Sequence, residues 1–334
     1  MLRVGLVGCS GHAGYVALGI REIEDACLCA VAPGCPEEDM SALLASPEIA
    51  RCKPAVHQDY RKMLDQEHLD IVGVSPFYYL HSAVCLDALK RGVAPFCEKP
   101  LALDLQSLDA LRNEQQKARL PVGMMLSFRY EAIFHTARKL VQSGVIGEVT
   151  LGHAQKSYKL GVRRPAFYRK RETSGGLIPW VGIHAIDWFR WVSGRRYSSV
   201  TAHHKNQFTS ACPGMEDHAS CLFQLDNGGS ATMSFDFLRP SGAASHGDDR
   251  LRLVGSKGFL EIRFPDVFEV CTDRGLLSVT LESPRSGMFA DFARRLQDHH
   301  HPALITTEDA FTLTELALKT REAADLATTV KLEE

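Results

Sequence analysis

Residues 3–15 read Arg3-Val4-Gly5-Leu6-Val7-Gly8-Cys9-Ser10-Gly11-His12-Ala13-Gly14-Tyr15, and the reading of this stretch decides the fold. A short apolar run enters a glycine-rich turn, and a helix-compatible segment follows from Tyr15. Glycines in such a turn permit a tight bend and let backbone N–H groups approach a phosphate at the start of the next helix. The strict dinucleotide fingerprint is G-x-G-x-x-G or -A. Gly8, Ser10 and Ala13 hold that register here, so the middle glycine is absent. A second register, Gly8, Gly11 and Gly14, gives G-x-x-G-x-x-G. A strand before the turn and a helix after it are the context the motif requires. A glycine turn with no ligand would leave the same trace. Gly8, Ser10, Gly11, His12 and Ala13 are the candidate cofactor contacts.

Working outward, strand and helix patterns alternate. Ala26–Ala32 reads as a second strand. In an NAD site an acid at its end would bind the adenosine ribose, but Pro33 and Gly34 stand there. Glu37, Glu38 and Asp39 come later, and no arginine is placed to hold a 2′-phosphate, so the expectation is NAD or NADP with weak preference. Asp70–Ser75 is another strand, ending at Pro76, and His81–Lys90 has helical spacing. Val93–Cys97 is a short buried strand followed by Glu98-Lys99-Pro100. Pro100 biases Lys99 away from the helical region, which places Lys99 at the carboxyl end of a strand, the end that faces the ligand crevice in open α/β sheets. Leu105–Arg119 reads as an amphipathic helix and Pro121–Leu126 as a strand. This alternation implies a doubly wound parallel sheet.

From residue 123 the pattern changes. A helix over 131–143 is followed by strand candidates at 149–158, 199–206, 218–225, 229–237, 250–254, 258–264, 267–271 and 276–281. Asp226-Asn227-Gly228-Gly229 is a hairpin signal. A helix over Ile178–Val192 interrupts the strands, and another over Thr307–Leu326 closes the chain. The expectation is an α/β Rossmann domain over 1–122 and an α+β domain with a large, mainly antiparallel sheet over 123–334. His299-His300-His301 reads as a solvated loop, because neighbours in sequence cannot all face one ion from a regular element; no metal is expected.

Composition narrows the function classes. The 334 residues are 45% hydrophobic and 23% charged with a formal net charge of −2. That balance offers no electrostatic case for nucleic acid or a membrane surface. The ten cysteines form no C-x-x-C, and the start Met1-Leu2-Arg3 has no signal-peptide layout. Reduced thiols and a cytoplasmic location are expected.

Taken together these motifs resemble the glucose–fructose oxidoreductase/inositol dehydrogenase (Gfo/Idh/MocA) family. The matching residues are the glycine turn at 8–14, Pro76 with His81, and Glu98-Lys99-Pro100. Phe128-Arg129, Gly144–Val149, Gly175-Gly176, Gly182–Asp187 and Thr307–Ala310 follow in order. The resemblance implies an N-terminal domain binding NAD or NADP. Its second domain would shape a sugar-like substrate site and join copies into a homodimer or homotetramer through its sheet. The usual chemistry is hydride transfer between a sugar or cyclitol carbon and the nicotinamide, with Lys99 as active-site lysine and His184 as general acid/base. Pro76, His81, Glu98 and Lys99 join the candidate cofactor contacts. Histidine titrates near neutral pH and suits proton transfer, and a lysine ammonium would stabilise developing alkoxide charge. Asp187 is placed to orient His184.

The chain departs from the family at Trp180, where the polyol dehydrogenases carry an aspartate four residues before the histidine. Helical spacing puts Trp180 on the His184 face, where it would stack on a sugar ring or exclude water. Lys99, His184, Trp180, Arg129, Tyr158, Arg164 and His246 are the candidate substrate contacts, with Lys159, Arg163, Tyr168, Asp248 and Asp249 nearby in sequence. Two other functions fit the same motifs: a sugar enzyme that uses NAD without net redox change, glycosidase-like, and a non-catalytic dinucleotide-binding regulator.

Overall fold

The computed structural model describes residues 1–161, 164–210 and 212–332. The chain divides into two compact units, Met1–Ser127 with Arg285–Thr314, and Phe128–Pro284 with Glu315–Glu334.

The first unit is built on six parallel strands: β1 (Leu2–Val7), β2 (Ala26–Ala32), β3 (Ala55–Val56), β4 (Ile71–Val74), β5 (Ala94–Glu98) and β6 (Gly123–Met125), in the order β3-β2-β1-β4-β5-β6. Every residue of β4 and β5 is buried, as expected of strands covered on both faces. Helices Gly14–Ile20, Tyr60–Gln66, His81–Leu89 and Leu105–Ala118 make crossovers. Two begin on aspartate caps: Arg61 N–H donates to Asp59 (2.8 Å) and Ser107 N–H to Asp104 (2.7 Å), each satisfying a helix-end donor. A boundary at 122 falls one strand short, because β6 pairs with β5 along Phe96–Glu98. The unit also takes back a late segment. Helix Met288–Gln297 brings Phe289 and Phe292 to ring-centroid distances of 5.3 and 5.2 Å from Phe96. Local periodicity carries no signal for a return across so many residues.

The second unit holds a nine-stranded sheet: β7 (Val149–Tyr158), β8 (Tyr197–Lys205), β9 (His218–Leu225), β10 (Ser230–Asp236), β11 (Gly247–Gly255), β12 (Gly258–Phe264), β13 (Val267–Thr272), β14 (Gly275–Leu276) and β15 (Thr329–Lys331). Their order is β14-β13-β12-β11-β7-β10-β9-β8-β15. β7 and β10 run parallel, and the other pairs are antiparallel. β9 alternates buried and exposed positions along its length, the period-2 signature of a sheet covered on one face. Helix Ile183–Ser193 covers that face so closely that a Cβ on Gly152 of β7 would come within 2.4 Å of the Phe189 ring. The expected strand at 276–281 is reduced to β14, ending at Leu276: after Leu277 N–H donates to Val270 O (2.8 Å), the chain leaves the edge without regular structure. β15, unforeseen, adds to β8. The expected single helix at 178–192 is divided into a π-turn, Ile178–Gly182, and an α-helix, Ile183–Ser193.

Of the histidine run, His299 and His300 are exposed, while His301 Nε2 lies 2.6 Å from Asp291 Oδ1. Among the described residues no helix is long and apolar enough to cross a membrane.

Candidate active site

In the first unit the candidate residues gather at the carboxyl ends of β1, β4 and β5. The turn after β1 is tight. Gly8 and Gly11 have φ of +83° and +59°, a region that side chains disfavour. A Cβ on Gly8 would lie 2.3 Å from Pro76 backbone atoms, and one on Gly11 would lie 2.8 Å from the Glu98 carboxyl. Gly14 has open space around it. The glycines at 8 and 11 thus let the turn seat on Pro76 and Glu98, and Pro76 serves as its floor. Ser10 and Ala13 are buried, with the Ser10 amide bonded to Ser75 O (2.7 Å).

Glu98 is fully buried at the end of β5. Its Oε2 accepts from the His12 amide (2.9 Å) and faces His12 Nδ1 (2.8 Å). Lys99 Nζ stands 3.6 Å from Oε1 and 5.7 Å from the Tyr78 ring centroid. Burial pushes the Glu98 carboxyl up, but His12 and Lys99, with His81, outweigh it and hold it down at about 2. The fixed carboxylate offsets the cost of keeping the Lys99 ammonium, 2% exposed, out of water. His81 is fully buried as well, and its Nδ1 lies 2.7 Å from the Pro100 carbonyl. Burial lowers its pKa, so it is a neutral imidazole that donates to Pro100 and braces the turn carrying Lys99.

The loop after β2 holds an acid that its distance along the chain set aside as a substitute for one at the end of β2. The Glu38 carboxylate accepts from the amides of Cys9 (2.9 Å) and Gly34 (2.8 Å). An acid is therefore present beside the glycine turn, although none follows β2 directly. Its spacing from β2 argued against it, because only the fold of the loop brings it back.

In the second unit, His184 is buried one residue into the α-helix, its ring 5.5 Å from Phe128. Trp180 precedes it in the π-turn, which inserts an extra residue into the turn. Its indole stacks on Tyr168 (4.7 Å), approaches Phe237 (4.9 Å) and lies under the Arg164 guanidinium (4.8 Å). Asp187, expected to orient His184, accepts from Arg129 Nε (2.8 Å) and Nη2 (2.6 Å) on one oxygen. Arg129, expected at the substrate, is the cation of that buried pair.

Lys156, a second buried cation of this unit, was not foreseen. It pairs with Asp249 Oδ2 (2.7 Å) across the β7–β11 register. Its ammonium lies 4.0, 4.6 and 5.2 Å from the rings of Phe128, Tyr158 and Trp188. The signal was available: Gly152, Ala154 and Lys156 share the inward face of β7 by alternation. Burial raises the Asp249 carboxyl, against the pull of Lys156. Asp248 forms a two-point pair with Arg250 (2.8 and 2.7 Å). His246 remains exposed, its ring 5.0 Å from Tyr158. Lys159 Nζ donates to the Ala243 carbonyl. Arg163 lies outside the described residues.

A model described as an oxidoreductase family with an NAD-binding Rossmann fold matches residues 2–125, and a GFO/IDH/MocA C-terminal domain model matches 134–261. A Thermotoga maritima chain whose structure is described as that of an oxidoreductase is 39% identical, with 99% of this chain and 100% of that one covered and a TM-score of 0.93. Inositol 2-dehydrogenase 2 of Saccharopolyspora erythraea is 26% identical over 267 residues, covering 79% of this chain and 74% of that protein. The 2,7-anhydro-N-acetylneuraminate hydratase of Mediterraneibacter gnavus is 30% identical over 149 residues, 44% of this chain and 39% of that one.

Proposed function

Because the chain belongs to the GFO/IDH/MocA family of oxidoreductases, we propose that it is an NAD(P)-dependent dehydrogenase acting on a CH–OH group of a sugar or cyclitol. The observation that carries this reading is Lys99: a buried ammonium at the carboxyl end of β5, braced by Glu98 and placed beside a glycine turn. The turn fits a dinucleotide, since it leaves the Gly11 amide without an acceptor among the described residues and seats its backbone with no intervening side chains.

Bound nicotinamide dinucleotide supplies the hydride acceptor. Lys99 stabilises negative charge on the substrate oxygen as its proton leaves. His184 takes that proton, a task suited to an imidazole near neutral pH. Tyr158, Arg164, Trp180 and His246 are proposed as substrate-side residues, with Trp180 holding Arg164 and Tyr168 in one stack.

The test is reduction of NAD and NADP, followed by nicotinamide absorbance over a panel of cyclitols, aldoses and sugar acids. On the responsive substrate, Lys99→Ala and His184→Asn are each expected to lower kcat by roughly a hundredfold or more, with cofactor affinity little changed. Near-normal kcat in folded variants would remove the assignments. A sugar conversion without net redox change is the second reading, favoured by Trp180 in place of the acid. It predicts product formation with no accumulation of reduced nicotinamide.

The outer sheet face supports self-association. Leu151 of β7 and Leu222 of β9 are 51% and 48% exposed there. Light scattering on the purified chain should then report a dimer or tetramer. Ten free thiols support a reducing, cytoplasmic location.

A further inference from the structure

We propose that Glu38 grips the adenosine ribose and makes this chain select NAD over NADP. The inference rests on the dinucleotide reading above and adds to it a residue and a preference. No Lys, Arg or His occurs between residues 33 and 50, whereas Glu37, Glu38, Asp39 and Glu48 all do.

The loop is folded so that Glu38 returns to the turn it left. Gly34 lies against Pro76, where a Cβ would come within 2.2 Å of the Pro76 Cβ, and the Glu38 amide donates to Cys35 O (3.1 Å). The Glu38 side chain is then sunk beside the turn after β1, with the residue 6% exposed. Oε1 accepts from the Cys9 amide (2.9 Å), with the Ser10 hydroxyl at 3.3 Å and the Cys9 thiol at 3.6 Å. Oε2 accepts from the Gly34 amide (2.8 Å).

Each carboxylate oxygen has two lone-pair sites. Oε1 is crowded by donors, but Oε2 has one protein donor among the described residues, the Gly34 amide, and a second lone-pair site beside it. A ribose 2′-hydroxyl is a donor and fills that site. A ribose 2′-phosphate has no proton to offer at neutral pH beyond a fraction, and it brings charge of the same sign against a carboxylate held by amides. No basic side chain from this loop is there to neutralise it. An acid directly after β2 is the common arrangement for NAD. Here the same chemistry arrives from a loop whose length hides it.

The experiment is binding, not turnover. The full-length chain is titrated with NADH, NADPH and 2′-deoxy-NAD by calorimetry and tryptophan quenching, alongside Glu38→Gln. Expected are NADPH binding about a hundredfold weaker than NADH and 2′-deoxy-NAD at least tenfold weaker than NAD, from loss of a charge-assisted hydrogen bond. In Glu38→Gln the NADPH-to-NADH gap should shrink at least tenfold. Equal binding of NADH and NADPH to the wild type, or indifference to the 2′-hydroxyl, overturns the proposal and leaves the dinucleotide reading standing. The 2′-deoxy comparison needs no variant, so it decides even if Glu38→Gln misfolds. Tighter binding of both nucleotides to the variant would show that Glu38 obstructs the turn, and it also overturns the proposal. Failure of every nucleotide to bind the wild type overturns the dinucleotide reading as well.

Discussion

Glu98 is a charge with no access to water, held by groups from two parts of the first unit: His12 from the turn, and Lys99 at the end of β5. Its carboxyl lies at about 2 in the folded chain, against an ordinary 4.5. A carboxyl depressed on folding contributes stability that is whole above its unfolded value and lost as pH falls through its folded value. The wild type should therefore lose thermal stability steadily as pH falls from 4.5 to about 2. Glu98→Gln should start lower at neutral pH and show a flatter decline there, which thermal unfolding over that window would read. Gly11→Ala tests the same place sterically. Its φ of +59° and the 2.8 Å approach to Glu98 predict a loss of about 1–3 kcal/mol, measured by chemical denaturation. Trp180→Ala should cost about 3–5 kcal/mol, because its indole fills a stack with Tyr168 and Phe237.

Among the elements, β7 and β11 hold the most testable pair. Lys156 and Asp249 face each other in register, both buried. Removing one partner leaves an unmatched charge, so Lys156→Met should destabilise by about 3–5 kcal/mol, while adding Asp249→Leu should restore most of it. A double variant as weak as the single one would mean that the ammonium's place among the aromatic rings, rather than the pair, supplies the stability. The helix at 178–193 shows where reading by element stops. Apolar spacing identified it, and the histidine was assigned to it correctly. The π-turn over Ile178–Gly182 was not legible, because it changes how residues face without changing their hydrophobicity.

At the scale of the molecule, the return of residues 285–314 to the first unit makes that unit discontinuous in sequence. Phe289 and Phe292 close over Phe96. A fragment of residues 1–127 leaves that aromatic face open and should lack a cooperative thermal transition and near-UV circular dichroism. Joining residues 285–314 to it through a flexible linker should restore both. A cooperative transition in the short fragment would show that the parallel sheet is stable without its late helix.

The sequence by itself determined the strand–turn–helix start, the placement of Lys99 at a strand end, and the change from parallel to mainly antiparallel sheet. Each rests on local signals: glycine and proline geometry, and hydrophobic period. It also identified the motifs by which the family is known. Only the tertiary structure decided how the charged residues are partnered. Arg129 takes Asp187, Lys156 takes Asp249, and Glu38 folds back onto the amides of Cys9 and Gly34. The reason is physical: a buried charge must be matched, but its match is chosen by proximity in space, and residues separated by 58, 93 or 29 positions share no local pattern that announces their meeting.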